Sequence, residues 1–452
     1  MLHLKINPLP PKHLKNKFYS VLQKCLMLLI LFFLYTPGYA DDVKKTDAMD
    51  TPTPERPTKR LLVVPYPFYN STIGTGLGVA GIAEGYGQDR MLTAGSGLLA
   101  AEGTYMLFLM VRNYKVPFLK RLTLDPQTSF GRFENIQSFT RNSPNFPNGN
   151  AGSNESDKDN YNEADGDDFW FDFKMKYLLP IGHGRDSIHQ KIKIDNGIYA
   201  SGETGGEVWN PLTNGRTYIE LTPFYRNQSL DDEDTDIIQK TAGVDLALHY
   251  DNTDFIMNPS RGSSQKLYFS GDWGEFGSTG QWAVVGIELE KYFNLGPSKK
   301  ARQRVVSFNF WSTDCLTWND SHTEDSGVVY HRPPTYKGAN LGGLFRLRGY
   351  PATRFNDRSA IYYGMEYRHT LLWNPLKNFT LGNRLDVDWI QLVGFSELGR
   401  VAPNWSFNEL HTDMKWSLGA GLRIMVNNII LRADLASSEE DAILQLFIGH
   451  PF

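Results

Sequence analysis

The residues of this chain best suited to a specific chemical role lie in the run GGLFRLRGY at positions 342–350. The guanidinium of Arg348 presents a planar fork of donors that matches a carboxylate, and burying it without such a partner would cost several kcal/mol. Gly349 allows a tight backbone beside it, and Tyr350 offers an aromatic surface for packing. The run therefore predicts a buried arginine anchor, with a solvent-exposed loop arginine as the alternative.

Two other motifs could bind ligands, but each has a simpler interpretation. Residues 76–81 read GLGVAG and match the GxGxxG pattern of dinucleotide sites, yet no helix or βαβ unit follows them. A glycine-rich first strand is the favoured interpretation. The acidic residues between Asp157 and Asp168 could hold Ca²⁺ through clustered oxygens, but they do not follow the EF-hand spacing. A solvated loop is favoured there.

No arrangement of residues predicts catalysis. The chain contains no GxSxG sequence, so a nucleophile elbow is absent. Its histidines are scattered, without an i,i+4 pair or a carboxylate at a metal-binding spacing. We therefore expect no enzymatic activity, no metal site and no cofactor.

The N-terminal residues predict export. Residues 1–40 carry five lysines and no acidic residue, then an apolar run from Leu26 to Tyr35 and a small-residue site ending at Ala40. This is the order of a secretory signal peptide. Residues 41–60 are polar and contain three prolines, which predicts a disordered lead-in. Residues 61–452 then form the folded domain.

Charge and cysteine content narrow the class of protein. The net charge is −4, and removing the five lysines of the signal peptide leaves −9, which argues against a nucleic-acid partner. Cys25 leaves with the signal peptide, so the mature chain keeps only Cys315 and cannot form an intrachain disulfide.

The hydrophobic pattern of the folded part has a period of two residues. Between Asp168 and Leu178, aromatic residues and methionine alternate with charged residues. The same alternation recurs at 244–249, 285–290, 363–368 and 429–435. Soluble sheets and membrane barrels share this pattern, so the period by itself does not separate them.

Length and connections favour a transmembrane barrel. Dividing residues 61–452 among about 16 strands leaves roughly 24 residues for each strand and its connection, which is enough for spanning strands of ~9–11 residues. Short connections at 427–428 and 295–301 alternate with long polar ones at 319–359 and 400–414. We therefore predict an all-β fold, a transmembrane antiparallel β-barrel.

The C-terminus has the pattern of a terminal barrel strand. Leu444, Leu446 and Ile448 alternate with other residues, and the chain closes on Phe452. These four residues are the expected C-terminal barrel signal.

Four segments carry a family resemblance. Leu347-Arg348-Gly349-Tyr350 is similar to a loop signature, and Phe395-Ser396-Glu397-Leu398-Gly399 is similar to the strand motif Phe-x-Asp-x-Gly. Residues 251–262 look like a turn between two central strands, and residues 419–452 like the last three strands. Together they resemble the BamA/TamA-type superfamily of outer-membrane assembly and translocation barrels, the bacterial surface antigen family. The resemblance covers roughly the C-terminal half.

The resemblance implies a loop lock. The long loop folds into the barrel lumen, and its arginine faces an acid on the wall. We expect Arg348 to pair with Glu397, helped by Glu366, and Tyr350 to pack against the wall. Glu397 is one methylene longer than the family's Asp, and His450 stands where the terminal signal usually has an aromatic residue.

The resemblance also implies a function. We expect a stand-alone barrel of the cell outer membrane, because residues 41–60 are too few for a periplasmic polypeptide-transport-associated domain. It would assist insertion or translocation of proteins or lipids, with outer-membrane lipid, lipopolysaccharide and client outer-membrane or secreted proteins as partners. Assembly into a homo-oligomer is left open. The alternative is a passive channel plugged by the 319–359 loop and lined by Asp172, Lys174, Glu288 and Glu290.

Overall fold

The computed structural model describes residues 59–452, except 71–73, 89, 102, 141, 204–208, 232–236, 325–326, 379–386 and 427–428. The expected signal peptide, nearly all of the lead-in and the connection at 427–428 lie outside the described residues. The strands are β1 Arg60–Asn70, β2 Gly74–Glu84, β3 Leu92–Ala100, β4 Tyr105–Arg112, β5 Tyr114–Lys115, β6 Leu122–Ser138, β7 Asn162–Leu178, β8 Ile192–Asp195, β9 Ile198–Gly202, β10 Arg216–Asp231, β11 Ile237–Asp251, β12 Gly262–Trp273, β13 Gln281–Asn294, β14 Ala301–Cys315, β15 Ser321–Glu324, β16 Gly327–Tyr330, β17 Ala339–Leu341, β18 Phe355–Asp357, β19 Ser359–Leu371, β20 Val387–Ala402, β21 Lys415–Val426, β22 Ile429–Ser438 and β23 Ala442–Ile448.

The described helices are single turns. They are Gly182–Arg185, Pro375–Asn378 and Phe407–Leu410. None of the described helices is long and apolar enough to cross a membrane.

Seventeen of the described strands form one antiparallel sheet. Strands that follow one another along the chain pair with one another, and β8–β9, β15–β16 and β17–β18 form separate two-stranded hairpins or pairs. β5 continues β4 beyond Asn113, whose φ is 60°, and both pair with β6. The sheet therefore has 16 strand positions, which agrees with the expectation of about 16 strands.

The up-and-down order sorts the connections to two ends of the sheet. One end, here the terminal end, holds the start of β1, the end of β23 and the connections 179–215, 252–261 and 295–300. The other, the loop end, holds 139–161, 316–358 and 403–414, among others. The short connection predicted at 295–301 lies at the terminal end, whereas the connection 179–215 at the same end is longer and contains the β8–β9 hairpin.

The sheet has one apolar face and one charged face. Leu99 is 69% exposed, and the alternating aliphatic and aromatic residues of other strands are exposed on the same side. On the opposite side of β19–β22, charged residues such as Glu366, Arg368 and Arg423 are fully buried. We call these the outer and the inner face. This arrangement is the reverse of that in a water-soluble sheet, because water favours the burial of apolar side chains.

The two edge strands lie next to each other. β1 contacts β23, but no ladder joins them among the described strands. Every other strand position of the described sheet is paired on both sides when β4 and β5 are counted as one.

The GxGxxG sequence lies inside β2, so the interpretation as a strand agrees with the structure, but β2 is the second strand and not the first. Gly78 pairs with Tyr66 across the ladder, and a Cβ on Gly78 would overlap the tyrosine ring. The glycine makes room for a neighbouring aromatic side chain.

Candidate functional site

The candidate site lies where residues 339–358, here the inner segment, cross the inner face of the sheet. β17 and β18 pair at the base of the segment, with Leu341 opposite Phe355. Between them, residues 342–354 contact the inner sides of β19 to β23 through the hydrogen bonds described below. Residues 347–350 of the predicted anchor run are buried and do not form a solvent-exposed loop, whereas Phe345 is 45% exposed.

Arg348 is fully buried and bound to three carboxylates. Its backbone N–H donates to Glu397 Oε2 at 2.7 Å, and its Nε donates to Glu397 Oε1 at 2.9 Å. Its Nη1 lies 2.6 Å from Asp434 Oδ2 and 3.0 Å from Glu366 Oε1. The guanidinium carbon is 3.5 Å from the centre of the Phe395 ring. Because Glu397 binds a backbone and a side-chain donor together, it determines both the position and the orientation of Arg348.

The charges around this anchor form one network. Glu366 accepts from Arg423 Nη2 at 2.6 Å and from Arg368 Nε at 2.9 Å. Tyr362 donates its hydroxyl to Glu397 at 2.8 Å. The buried members are the arginines 348, 368, 423 and 432 and the carboxylates 366, 397 and 434. Carboxylates shared between arginines compensate charges that would otherwise be too costly to bury.

Position 349 requires glycine because the backbone there lies against the end of β22. Gly349 N–H donates to Ser417 Oγ at 3.2 Å, and Ser438 Oγ donates to the Gly349 carbonyl at 2.8 Å. A Cβ on Gly349 would lie 2.9 Å from Ser438 Cβ. The positive φ of the turn, 52°, belongs to Leu347. The expectation that Gly349 relieves a tight backbone is thus replaced by its contact with the end of β22.

Tyr350 and Leu347 form the apolar part of the site. The Tyr350 ring packs edge-on against Phe355 with centroids 5.0 Å apart. Both belong to a buried cluster that also contains Trp311, Leu341, Tyr362 and Val401 from the inner segment and the sheet. Burial raises the pKa of Tyr350 to about 12, so its hydroxyl stays neutral.

A second arginine tether was missed by the sequence analysis. Arg354 is fully buried and donates through Nε and Nη2 to the two carboxylate oxygens of Glu440, at 2.9 and 2.8 Å. It also donates to Ser156 Oγ at 2.8 Å. Asn356 N–H donates to the Gly152 carbonyl at 2.7 Å. The connection 139–161 therefore covers the inner segment at the loop end.

The acidic stretch 157–168 continues into β7, where its last residues pair with arginines. Asp168 pairs with Arg226, whose Nε lies 2.8 Å from Oδ1, and Asp167 lies 3.3 Å from Arg132. Among the residues that the structure describes, no group of three or more His, Cys, Asp or Glu is arranged to hold a metal ion.

The β8–β9 hairpin crosses the inner face at the terminal end. Trp389 Nε1 donates to the Gly197 carbonyl at 3.0 Å, and Gln190 donates to the Thr253 carbonyl at 2.9 Å. Isoleucines of the hairpin pack on a buried cluster of Phe255, Trp389, Met425 and Ile430. No sequence pattern indicated this hairpin, because its two strands are only four and five residues long.

The turn at 252–261 lies between β11 and β12, as predicted. Asp254 accepts from the backbone N–H of Ser260 at 2.8 Å and of Arg261 at 3.3 Å. Burial raises the pKa of Asp254, while these hydrogen bonds oppose the rise.

The C-terminal residues depart from the predicted strand. β23 ends at Ile448, which is on the outer face and 41% exposed. Gly449 then has a φ of 98°, and Arg368 Nη2 donates to the Phe452 carbonyl at 3.2 Å. Phe452 thus turns to the inner face, where the arginine network provides donors. Leu444 and Leu446 remain on β23, paired with Leu435 and Ala433 on β22.

Comparison with known families agrees with this geometry. The model of the Omp85 superfamily domain matches residues 189–452, more than half of the 452-residue chain. The chain belongs to the Omp85 superfamily. Membership of this superfamily implies outer-membrane protein assembly or translocation as a general role, and the outer membrane as its location. No curated protein sequence matches this Omp85 chain.

Solved structures show similar folds at low identity. CdiB from Escherichia coli is 10% identical with a TM-score of 0.53, and the alignment covers 88% of this Omp85 chain and 64% of CdiB. BamA from Haemophilus ducreyi lacking POTRA domains 1–3 is 12% identical with a TM-score of 0.47, covering 87% and 70%. CdiB from Acinetobacter baumannii is 11% identical with a TM-score of 0.49, covering 86% and 59%. This chain thus spans less than two thirds of either CdiB.

Proposed function

We propose that this Omp85 protein is a closed barrel of the outer membrane that assists the insertion or translocation of client proteins. The observation that carries the proposal is the Arg348 anchor, which holds the inner segment against the strands next to the β1–β23 edge. The proposal requires no catalytic group and no cofactor.

The two faces of the sheet support a location in the membrane. The exposed aliphatic and aromatic residues of the outer face would contact lipid, which removes the cost of exposing them to water. The buried charges of the inner face would face the lumen. Residues of β3, β13 and β23 line one common cavity, which is consistent with a sheet that closes on itself.

The edge between β1 and β23 supports handling of client strands. Strand edges without a ladder carry backbone groups that can pair with an incoming strand. On β23, Gln445 Nε2 donates to the carbonyls of Gly343 and Arg348, at 3.1 and 3.2 Å. The inner segment is therefore bonded directly to one of the two edge strands. We infer that it controls how readily this edge opens.

A permanently open channel is less well supported. The inner segment and the β8–β9 hairpin both cross the inner face, near opposite ends. Residues expected to line a water path are engaged: Glu288 pairs with Arg346 at 2.8 Å, and Asp172 accepts from Gln127 at 3.1 Å. Steady conductance of the purified protein in a planar bilayer would favour the channel.

The proposal is tested by deleting the gene and complementing it with wild type, Arg348→Ala or Arg346→Ala. We expect specific outer-membrane or secreted proteins to fall in the deletion strain. Wild type and the Arg346→Ala control should restore them, and Arg348→Ala should not. Western blotting confirms equal amounts of each variant in the outer membrane. Unchanged outer-membrane and secreted proteomes in the deletion strain would contradict the proposal.

A further inference from the structure

We propose that two adjoining cavities at the terminal end of the inner face bind an anionic amphiphile. Its phosphate-bearing head group would occupy a basic cavity, and its acyl chain an apolar one. This inference goes beyond the proposed function, because binding to the purified protein does not depend on whether the protein handles clients.

The first strands have an unusual inner face. The ladders place Val64, Ala80, Ser96 and Phe108 side by side on β1 to β4, and Ile82, Ala94 and Met110 in the next inner row of β2 to β4. Elsewhere the inner face carries charges, as at Lys266 and Glu288. Strands β1–β4 are therefore apolar on both faces. An apolar wall inside an otherwise charged interior is a suitable contact surface for an apolar ligand, because binding removes apolar area of both from water.

The apolar cavity lies against this wall. It has a volume of about 440 Å³, and its lining includes Ile82, Leu92, Met110, Ile430 and Phe452. This volume is within the roughly 300–1,000 Å³ range of small-molecule sites. Gly449, directly after the edge strand β23, also lines the cavity, so the cavity adjoins the place where no ladder joins β1 and β23 in the described sheet.

The opposite wall of the apolar cavity is charged, and two of its charged residues form ion pairs within the protein. Glu288 lies 2.8 Å from Arg346, and Lys266 lies 3.2 Å from Glu220. Glu290 accepts a hydrogen bond from the Tyr292 hydroxyl at 2.8 Å. This wall therefore does not attract the head group.

The basic cavity has a volume of about 210 Å³ and adjoins the apolar one. Both are lined by Asp251, Thr253 and Ile256. The cations lining the basic cavity are Arg90, Lys115, Arg121, Lys176 and Arg216, against the carboxylates Glu203 and Asp251. Lys176 pairs with Asp125 at 2.5 Å, and the other four cations still outnumber the two carboxylates of the lining, which favours an anion.

Arg216 provides a donor for that anion. It is only 6% exposed, and its Nη2 is occupied by the His189 carbonyl at 2.9 Å and Glu203 at 2.6 Å. Its Nε, however, has no hydrogen-bond partner among the described residues. Arg121 donates to the carbonyls of Gly184 and Arg185, so its charge is not neutralised by these contacts. A phosphate oxygen would satisfy the buried donor and the excess charge together.

The test is native mass spectrometry of the full-length mature protein in a neutral detergent, titrated with dodecyl phosphate. Dodecyltrimethylammonium has the same chain with opposite charge, and inorganic phosphate has the head group without the chain. We expect dodecyl phosphate to bind with 1:1 stoichiometry and at least about 10-fold more tightly than either, equivalent to about 1.4 kcal/mol. Equal binding of the ammonium amphiphile, or of inorganic phosphate, would overturn the proposal.

Matched variants test which cavity binds the acyl chain and which binds the head group. Leu92→Trp fills the apolar cavity and should abolish binding, whereas Leu99→Trp places the same ring on the outer face of β3. Arg121→Gln should weaken binding about 10-fold, and Lys193→Gln on β8 should not. Heat-dependent migration in gels verifies that each variant is folded. If Leu92→Trp binds as Leu99→Trp does, the assignment is wrong.

Two sources could supply this chemistry. The protein is purified directly from outer membranes, and the lipid bound to it is extracted. Mass spectrometry of this lipid distinguishes a phospholipid from the phosphorylated lipid of lipopolysaccharide. Either species, depleted in Leu92→Trp, supports the site. If Leu92→Trp retains both species at the wild-type level, the proposed site is contradicted. These results stand whether or not deletion of the gene alters the proteome.

Discussion

Arg348 Nη1 lies 2.6 Å from Asp434 Oδ2, although 86 residues separate them along the chain. Glu397, which binds Arg348 at 2.9 Å, is on β20, whereas Asp434 is on β22. One arginine of the inner segment thus joins two wall strands that are not neighbours in the sheet. The anchor resists relative movement of β20 and β22 as well as loss of the segment.

Arg348→Ala should destabilise the protein by about 3–5 kcal/mol, because it leaves buried carboxylates without their shared cation. We expect a lower temperature for the loss of heat-dependent gel migration, and faster cleavage of the inner segment by trypsin. Arg346→Ala is the control, since Arg346 and Glu288 are each 26% exposed and such a pair contributes at most about 1 kcal/mol. Equal effects of both variants would refute a special role for Arg348.

The Arg354–Glu440 pair should show strong coupling. A double-mutant cycle with Arg354→Ala and Glu440→Ala should give an interaction free energy of about 1.5–3 kcal/mol in thermal unfolding. The neighbouring pair Lys415–Glu439 is 3.5 Å apart and more exposed, so its cycle should give less than about 1 kcal/mol. A coupling near zero for the first pair would mean that the tether does not stabilise the fold.

Gly349→Ala should displace the inner segment from β22. The new Cβ would lie 2.9 Å from Ser438 Cβ, and such overpacking costs typically about 1–3 kcal/mol. Gly394→Ala on β20 is the control, because nothing lies within 4 Å of its Cβ position. Thermal unfolding compares the two, and an unchanged melting temperature for Gly349→Ala would show that the contact relaxes without cost.

Trp389→Phe should loosen the β8–β9 hairpin. It removes the hydrogen bond from Nε1 to the Gly197 carbonyl, which is worth about 1 kcal/mol, while keeping most of the ring packing. Amide hydrogen exchange of residues 192–202 should accelerate about fivefold. Trp416→Phe, on the exposed side of β21, should leave this exchange unchanged. Exchange that stays slow in Trp389→Phe would show that the isoleucine contacts hold the hairpin without the bond.

Much of this fold could be predicted from local pattern. The alternation between Asp168 and Leu178 predicted which side chains share a face, and the chain length was compatible with about 16 strands. The Arg348 run and Glu397 were found by motif. The Arg354 tether was not, because it depends on a contact between Arg354 and the β22–β23 turn that no local spacing encodes.

The C-terminus shows a different limit. Alternation predicted that Phe452 would lie on the same face of the sheet as Ile448. Instead, the chain turns at Gly449, and Arg368 binds Phe452 on the inner face. The β8–β9 hairpin was also missed, since its isoleucines gain their partners only when β20–β22 and the 252–261 turn are assembled around them.

The period of the strands, the identity of the anchor residue and the separation of an apolar from a charged face follow from the order of amino acids, because these properties depend on residues close together in the chain. The carboxylates that share Arg348, the segments that cross the inner face and the residues that line the two cavities are visible only in the folded protein. Those features depend on the register of every pair of neighbouring strands. Alternation predicts the face on which a side chain lies, but not its position along the strand relative to residues of other strands.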